Sequence, residues 1–522
     1  MQEPSHEETS ENTSPQNLPE YPSSLWRATV DLPTFPSVQG ELDTEIVVVG
    51  AGITGITAAY LLAQEGKKVV LVESGKVLDG TTGYTTAKVS SQHGMIYDEL
   101  ISNFSEEEAI LYYEGAQEAL HYMRRLVEEH QIDCDWQQET SYIYVESDDA
   151  TLKKLEKEMD AYRKLGIPGE WVDSLPIPLS VKGAIALPDQ ARFHPLQYLV
   201  FLLQQFLLLG GTVYEDTMIE EVESGDRPRL LIQDQEFGIT CDKVVSASHY
   251  PVTDQNGFYF ARLRAQRSYT LAVRAETTFA GGMYLSVDEP KHSLRSATID
   301  GQEMLIVGGN GHKTGQEDET ITHYEGLEHF VGMLLGIKEI PYRWSAQDLF
   351  SLDDIPCIGY ITEDEPNILV GTAFAKWGMT SGTLAAHMMT DMIMGRDNRY
   401  AELFNPSRKQ PLLTKIKTAV VQNANVAKEM ITGKLDFNRR KADDLDNDEG
   451  GVIWHHGKRT GAYRDPEGAL HMVDTTCTHM GCEVGWNEAE RSWDCPCHGA
   501  RFAYNGEVIE GPATKALKKV NR

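Results

Sequence analysis

A glycine-rich turn between an apolar strand and an apolar helix constrains the fold more than any other feature of this 522-residue chain. Residues 46–49 (IVVV) form a continuous β-branched run, which is typical of a buried parallel strand. They lead directly into GAGITG at residues 50–55, followed by an apolar helix pattern and a second short strand that ends in Glu73. A strand, a G-x-G-x-x-G turn, a helix and an acidic residue about 20 positions on predict a βαβ unit that binds a dinucleotide.

The positions of this motif have separate physical roles. Gly50 permits the tight turn, Gly52 lets the backbone approach a pyrophosphate, and Gly55 lets the helix pack closely on the strand. The helix N-terminus then stabilises the phosphates, and Glu73 can accept hydrogen bonds from ribose hydroxyls. An acid at position 73 argues against a ligand with a 2′-phosphate. The motif by itself does not decide between FAD and NAD.

Four of the seven cysteines are concentrated near the C-terminus, in the boxes CTHMGC at residues 477–482 and CPCHGARF at residues 495–502. Two cysteines and two histidines at suitable spacing can form a structural zinc site. The four residues in question are Cys477, His479, Cys495 and His498. A zinc site of this kind would leave the two further cysteines, Cys482 and Cys497, without a role. The boxes therefore predict a metal centre, but their spacing by itself does not decide whether the metal is zinc.

Charge and hydropathy exclude several classes of function. The formal net charge of −32 argues against a nucleic-acid partner, because phosphates require a basic surface. Residues 1–20 contain no Lys or Arg and no apolar run, so no secretory signal is predicted. The most apolar segment, residues 196–211, is too short to span a bilayer and is interrupted by Gln204 and Gln205. We expect it to form a buried helix rather than a membrane-surface helix, in a cytoplasmic protein without a transmembrane segment.

Changes in composition predict four regions. Residues 1–42 read as a polar tail, and residues 43–395 as a mixed α/β region. Residues 396–444 read as a linker, in which apolar residues recur at helical spacing and predict one amphipathic helix at 413–427. From about residue 445 to residue 522, short strand-like runs alternate with Gly, Asn and Asp, which predicts a small all-β domain.

The α/β region resembles the glycine oxidase, sarcosine oxidase and D-amino-acid oxidase-like family of flavoproteins. Besides the fingerprint with Glu73, three segments carry the resemblance: GTTGYTTAK at 80–88, LDDIPCIG at 352–359 and GTAFAKWGMTSGT at 371–383. The resemblance implies FAD, a discontinuous Rossmann-like nucleotide-binding domain and an antiparallel substrate sheet. A second glycine cluster, VGGNGHKTG at 307–315, is expected to be a strand and turn of that sheet.

The same resemblance implies which residues contact the cofactor. Segment 80–88 closes over the flavin, and segment 371–383 meets the isoalloxazine ring. FAD is expected to be non-covalent, because Tyr84 stands where some relatives carry a linking residue. Arg295 lies where relatives can place an arginine that binds the substrate carboxylate, although a surface arginine is an equal alternative. The implied FAD contacts are Gly50, Gly52, Ile53, Thr54, Gly55, Glu73, Thr81, Thr82, Lys88, Lys376, Trp377, Gly378, Met379 and Thr380.

Residues 445–522 closely resemble the Rieske [2Fe–2S] proteins, through CTHxGC, CPCHG and GPA at 511–513. The resemblance implies that Cys477 and Cys495 bind one iron while His479 and His498 bind the other. It also implies a disulfide between Cys482 and Cys497, bracing the two boxes. In high-potential Rieske proteins the second box continues Ser-x-Tyr, whereas this chain has Ala500 and Phe502, so a lower reduction potential is expected unless Tyr504 replaces the missing donor.

The two halves together suggest a single function. We expect an FAD-dependent oxidoreductase that oxidises a C–N bond of an amine or amino acid and passes electrons through the cluster to an unknown acceptor. Two alternatives remain at this stage. One is an electron-transfer or redox-sensing relay without a small-molecule substrate, and the other is an O₂-reducing oxidase with a non-catalytic cluster.

Overall fold

The computed structural model describes residues 18–253, 257–408 and 440–521. The predicted amphipathic helix at 413–427 lies outside the described residues. The helices are α1 (Leu25–Ala28), α2 (Ile53–Gln64), α3 (Tyr97–Asn103), α4 (Glu106–His130), α5 (Asp149–Leu165), α6 (Pro195–Leu208), α7 (Tyr259–Arg262), α8 (Ile321–Leu335), α9 (Gly378–Ile393) and α10 (Ala401–Phe404). The strands of the larger, N-terminal part are β1 (Leu42–Val49), β2 (Val69–Val72), β3 (Lys88–Val89), β4 (Gln137–Val145), β5 (Glu170–Val172), β6 (Gly183–Arg192), β7 (Thr212–Tyr214), β8 (Ile219–Glu223), β9 (Arg229–Ile232), β10 (Gly238–Ser246), β11 (Arg264–Ala275), β12 (Met283–Ser286), β13 (His292–Ile299), β14 (Gln302–Lys313), β15 (Ile337–Phe350), β16 (Cys357–Tyr360) and β17 (Ile368–Thr372). The C-terminal strands are β18 (Glu449–His455), β19 (Lys458–Arg464), β20 (Leu470–Val473), β21 (Gly485–Asn487), β22 (Ser492–Asp494), β23 (Arg501–Ala503) and β24 (Val508–Glu510).

The first sheet is parallel at its centre. β1 pairs in parallel with β2 on one side and with β10 on the other. β7 and β17 extend the parallel order outward, while β16 and the β8–β9 hairpin are antiparallel additions. Val47 and Val48 are fully buried, as expected for a strand covered on both faces. The predicted βαβ unit is therefore confirmed, with α2 packed between α6 and α9.

The second sheet has nine strands, in the order β15-β11-β14-β13-β12-β4-β6-β3, with β5 paired to β6. All neighbouring strands are antiparallel except β12 and β4. The glycine cluster at 307–315 lies at the end of β14, so its assignment to a strand and turn is confirmed. Helix α8 packs on this sheet with Tyr324, Leu327 and Val331 buried.

Part of the stretch that precedes β1 is packed against the first two sheets. Leu25 and Trp26 in α1 are buried, and the indole N–H of Trp26 donates to the carbonyl oxygen of Thr85 at 2.7 Å. The composition of residues 1–42 predicted a tail. The described part of that tail, residues 18–42, instead contributes apolar side chains to the core.

The C-terminal domain consists of two small antiparallel sheets, β18–β20 and β21–β24. The expected all-β class of residues 445–522 is confirmed, since the described part of this range contains strands and no helix, and one short 3₁₀ turn at Ala442–Asp444 precedes it. The two metal boxes lie before β21 and between β22 and β23.

The apolar run at 196–211 forms α6, whose Leu196, Leu199 and Leu202 are buried. Within the described ranges, no helix combines the length and the apolar character that crossing a bilayer requires.

Candidate functional site

One large cavity lies where the first sheet, the second sheet and the C-terminal domain meet. Its volume is 1570 Å³, which exceeds the range of about 300–1,000 Å³ that is usual for small-molecule sites. The glycine turn after β1, segment 79–88 and the start of α9 contribute to its wall, and so do His479 and residues 508–515 of the C-terminal domain. The cavity therefore has room for an extended dinucleotide together with a substrate, and the C-terminal domain closes one side of it.

The glycine turn fits the phosphates of a dinucleotide. A Cβ atom on Gly55 would overlap the carbonyl oxygen of Gly50, so only glycine permits this close approach of helix and strand. The N-cap position of α2, Gly52, provides no capping side chain, and the cavity reaches this helix N-terminus, where backbone N–H groups can bind an anion. Glu73 borders the cavity, and its Oε2 accepts a hydrogen bond of 2.7 Å from the N–H of Ala51.

Segment 79–88 connects the glycine turn to the second sheet. Thr82 Oγ1 accepts a bond of 3.1 Å from the N–H of Ile53, at the first turn of α2. Thr81 Oγ1 donates at 3.1 Å to the carbonyl oxygen of Gln347 in β15. Lys88 Nζ donates at 2.6 Å to the carbonyl oxygen of Tyr284 in β12. The segment thus forms part of the cavity wall, and all three side chains border the cavity.

Segment 376–380 reaches the same cavity from the start of α9. Lys376 Nζ donates at 2.7 Å to Ser268 Oγ in β11, and burial lowers the pKa of Lys376. The Trp377 ring stacks on His93, with 4.6 Å between the ring centroids. Gly378 and Met379 border the cavity, while Thr380 Oγ1 donates to the carbonyl oxygen of Ser90 at 3.2 Å. Thr54 also lines the cavity.

Arg295 does not fit the predicted role as a substrate ligand. Its side chain is fully buried outside the cavity wall, and it stacks over Trp26. Its Nε, Nη1 and Nη2 atoms donate to the backbone carbonyl oxygens of Thr86, Ser296 and Phe193, respectively. The bond to Thr86 joins the second sheet to segment 79–88, so the structure gives Arg295 a packing role.

Sequence reasoning missed His93, which lies beside Trp377 in the cavity. Its Nδ1 bonds to the Tyr112 hydroxyl at 2.8 Å, and its Nε2 lies 2.8 Å from the Ser90 carbonyl oxygen. Burial lowers the pKa of His93 to about 3, so this ring is neutral. The polar run SSQHG at residues 90–94, directly after β3, was the signal that could have pointed to His93. It follows a segment expected to contact the cofactor, and buried polar side chains in such a place require hydrogen-bond partners.

The two metal boxes form loops with the same backbone hydrogen bonds. We call residues 477–482 the first cluster loop and residues 495–500 the second cluster loop. In each, the N–H of the leading cysteine donates to the carbonyl at the end of the loop, and a glycine with positive φ donates back to the cysteine carbonyl. The four bonds are Cys477 N to Cys482 O (2.8 Å), Gly481 N to Cys477 O (2.9 Å), Cys495 N to Ala500 O (2.8 Å) and Gly499 N to Cys495 O (3.0 Å).

The side chains of the loops fit an iron–sulfur cluster. Cys482 and Cys497 form a disulfide, so the thiols that remain for a metal are Cys477 and Cys495. These two thiols contact each other, and the hydrogen bond from Cys495 lowers the pKa of Cys477 to about 7. The His479 and His498 rings are 5.0 Å apart between centroids. The structure therefore brings together two thiols and two imidazoles from opposite loops. It also groups the sulfur atoms of Cys482, Cys495 and Cys497 within 4.8 Å, but the disulfide removes two of them as thiolate ligands.

Apolar and aromatic side chains enclose the loops. Ala500, Phe502 and Trp493 are fully buried beside the cluster cysteines. Tyr504 is 38% exposed, and its ring packs on His471, with 4.8 Å between centroids. Its ring thus lies against the neighbouring sheet β18–β20 and does not belong to the apolar group around the loops.

The rings of His479 and His498 also lie close to aromatic residues of the larger, N-terminal part of the chain. The Phe260 ring of α7 lies 6.0 Å from His498 and 6.5 Å from His479, and Tyr250 lies 6.4 Å from His479, measured between ring centroids. The first cluster loop and the glycine turn therefore border one continuous cavity.

Comparison with known proteins agrees with both sites. Residues 45–392 match the family described as FAD dependent oxidoreductase, and residues 438–521 match the Rieske [2Fe-2S] domain. The putative Rieske 2Fe-2S iron-sulfur protein YhfW of Bacillus subtilis (strain 168) is 45% identical over 504 residues, which are 96% of this chain and 98% of that protein.

Two more distant matches concern the larger part of the chain. Gamma-glutamylputrescine oxidoreductase of Escherichia coli (strain K12) is 22% identical over 407 residues, 74% of this chain and 92% of that protein. The crystal structure of glycine oxidase from Geobacillus kaustophilus superposes with a TM-score of 0.60 at 16% identity, over 70% of this chain and 99% of that one. At this low identity, the match to glycine oxidase shows a similarity of fold alone.

Proposed function

Because the chain belongs to the FAD dependent oxidoreductase family and ends in a Rieske [2Fe-2S] domain, we propose that it oxidises a C–N bond of an amine or amino acid and passes the electrons through the cluster to an acceptor outside the chain. The observation that carries this proposal is the shared cavity, whose wall contains both the glycine turn and the cluster ligand His479. The names of gamma-glutamylputrescine oxidoreductase and glycine oxidase favour amines and amino acids as the substrate class.

FAD, when bound, accepts two electrons as a hydride, and a [2Fe–2S] cluster accepts them one at a time. The residues of this chain position the reactants. We assign the phosphates to the N-terminus of α2, the ribose to Glu73, and the flavin ring to segments 80–88 and 376–380. FAD is held without a covalent bond, since the Tyr84 hydroxyl is directed to Asp79, and both ring nitrogens of His93 have other partners.

Lys88 is the group to which we assign the substrate carboxylate. It borders the cavity, and among the ion pairs of the described residues none involves Lys88. A cation held in a partly buried position without a counter-ion is stabilised by an anionic ligand. The cluster ligands in this proposal are Cys477, His479, Cys495 and His498.

The disulfide is compatible with the cytoplasm, which is the compartment we propose. Cys482 is 1% exposed and Cys497 is 6% exposed. Since exchange with cellular thiols requires access to a sulfur atom, burial protects this bond in a reducing environment.

The proposal is tested by an anaerobic screen of amines and amino acids against the purified protein, in which flavin absorbance and the electron paramagnetic resonance of the reduced cluster are followed together. The expected result is that one substrate class bleaches the flavin and that the cluster signal then grows. If light reduces the flavin and the cluster follows, but no substrate bleaches it, the chain is a relay. If a substrate bleaches the flavin and the cluster stays oxidised, the chain is an oxidase whose cluster has no part in turnover.

A further inference from the structure

A buried ionic contact joins the second sheet to the C-terminal domain. Arg267 in β11 is fully buried, and its Nη2 lies 2.9 Å from Glu510 Oε2 in β24. Its Nε lies 3.9 Å from Oδ2 of Asp494, the residue directly before ligand Cys495. Arg501 pairs with the same Asp494 at 3.1 Å and lies 3.6 Å from Glu510. Glu490 lies 4.0 Å from Arg501 as well, so three acids of the C-terminal domain surround one arginine of their own and one from the second sheet.

Gln347 in β15 connects the second cluster loop to the flavin segment. Its Nε2 donates at 2.9 Å to the carbonyl oxygen of Gly499, and its Oε1 accepts from Thr314 Oγ1 at 2.8 Å. Its own carbonyl oxygen accepts the bond from Thr81 in segment 79–88. Gly499 has a φ of +79°, and a Cβ there would overlap Ala265 of β11. The cluster loop therefore lies directly on the second sheet, without room for a side chain between them.

The stretch before α1 strengthens the same interface. Arg343 in β15 donates to the carbonyl oxygens of Pro19 at 2.6 Å, Glu20 at 2.9 Å and Ala489 at 2.8 Å. Arg491 of the C-terminal domain donates to the carbonyl oxygen of Glu20 at 2.9 Å. Ala489 is 1% exposed and belongs to the hydrophobic core of the second sheet. Two domains that share a core residue and buried charges do not separate without a large free-energy cost.

We propose that the Rieske domain is permanently docked on the second sheet, so that electrons pass from flavin to cluster without any domain movement, and that Arg267 and Gln347 are positioning residues for this transfer. The inference rests on the proposed function. Each substrate delivers two electrons as a hydride, with a proton lost to solvent, and the cluster holds one electron. Two successive one-electron transfers are therefore needed, and a one-electron acceptor outside the chain reoxidises the cluster between them.

The wild-type holoprotein provides the first test. After anaerobic photoreduction of the flavin, the rate constant of cluster reduction is measured in buffers of increasing sucrose concentration. A docked domain predicts a rate constant that does not depend on viscosity. A rate constant that falls in proportion to viscosity would show that domain movement limits the transfer, and would overturn the proposal.

The variant Arg267→Met tests the ionic contact. We expect the flavin-to-cluster rate constant to fall about tenfold or more, because small displacements of reacting groups have large kinetic effects, while the FAD and iron contents are unchanged. Arg267→Lys should restore most of the rate. The matched control is Arg274→Met on the same strand, where Arg274 makes an exposed ion pair with Glu339. Arg267→Met with a wild-type rate would overturn the role of Arg267, and if it fails to fold, Gln347→Met is measured in its place.

Hydrogen exchange of the holoprotein gives a readout that needs no electron transfer. The amides of β15 and β23 should be protected in the wild type and should exchange faster in Arg267→Met, while those of β18–β20 keep wild-type rates. Unprotected β15 and β23 amides in the wild type would overturn the docking. If the reduced flavin never reduces the cluster in the wild type, the proposed function fails. Hydrogen exchange alone then shows whether the Rieske domain is docked on the second sheet.

Discussion

At the scale of single residues, Lys88 offers a direct test of the substrate site. Burial, with a further contribution from Arg295, lowers the pKa of Lys88 to about 7. An anion binds to the protonated lysine, so the affinity for a simple carboxylate such as acetate should be highest at about pH 6, where the lysine is protonated and acetate is ionised, and should fall about tenfold per pH unit above about pH 7. Lys88→Met should weaken this binding at about pH 6 by about tenfold or more and should remove the pH slope.

The flavin spectrum reports carboxylate binding in this experiment. The control is Lys291→Met, because Lys291 borders the same cavity but is exposed and lies 3.6 Å from Glu289. It should retain both the affinity and the slope. A Lys88→Met protein with the wild-type slope would assign the titration, and the carboxylate, to another group.

Two other residues set the expected potential of the cluster. Ala500 and Phe502 are fully buried beside the cluster loops, where high-potential Rieske proteins have a serine and a tyrosine that donate to sulfur. Hydrogen bonds to sulfur favour the reduced, more negative cluster, so their absence lowers the potential. The Tyr504 ring packs on Tyr463 and His471 and lies outside the apolar group around the cluster loops, so the expectation rests on Ala500 and Phe502.

A redox titration checks this expectation. Hydrogen bonds to charged groups contribute about 1.5–3 kcal/mol, and a one-electron couple shifts about 59 mV per 1.4 kcal/mol. Only the difference between the two oxidation states counts, so Ala500→Ser with Phe502→Tyr should raise the potential by about 100 mV or more. Wild-type protein should lie in the middle or lower part of the range of about −150 to +300 mV. A double variant without a rise, or a wild-type potential near the upper limit, would contradict the argument.

At the scale of elements, local motifs were predictable and long-range contacts were not. The unit β1–α2–β2 depends on residues that are adjacent in sequence, and its limits at Val49 and Val69 agree with the apolar pattern. The small all-β domain was likewise evident from its short runs. The role of Arg295 was not, because two of its carbonyl partners, those of Thr86 and Phe193, come from distant parts of the chain.

The contact between the second sheet and the C-terminal domain is another long-range feature that the sequence did not predict. Ala489 lies in an acidic turn, and nothing in the sequence around it predicts burial in another domain's core. Trp26 was a more accessible signal, since tryptophan is highly buried on average and here follows a leucine directly. Burial of Arg267 could not be anticipated, because its partners, Asp494 and Glu510, follow more than 200 residues later in the chain.

At the scale of the whole molecule, two cofactor sites built by separate sheets share one cavity. The glycine turn belongs to the first sheet, whereas Cys495 lies between β22 and β23 of the C-terminal domain. The disulfide joins the two cluster loops, and the ion pair between Arg267 and Glu510 holds the C-terminal domain on the second sheet. Neither contact requires a bond to iron. Loss of the cluster should therefore leave the flavin site intact.

This independence predicts that Cys495→Ser loses iron and acid-labile sulfide but retains FAD in the wild-type ratio to protein. The serine hydroxyl does not replace a thiolate as a ligand of the cluster, and no FAD contact is altered. The control is Cys241→Ser, since Cys241 is a fully buried free cysteine in β10 that does not border the cavity, and this variant should keep both cofactors. Metal and sulfide analysis of anaerobically purified protein, together with flavin absorbance, gives the answer. Zinc in place of iron in the wild type would refute the cluster, whereas loss of FAD along with iron in Cys495→Ser would show that the two sites are assembled together.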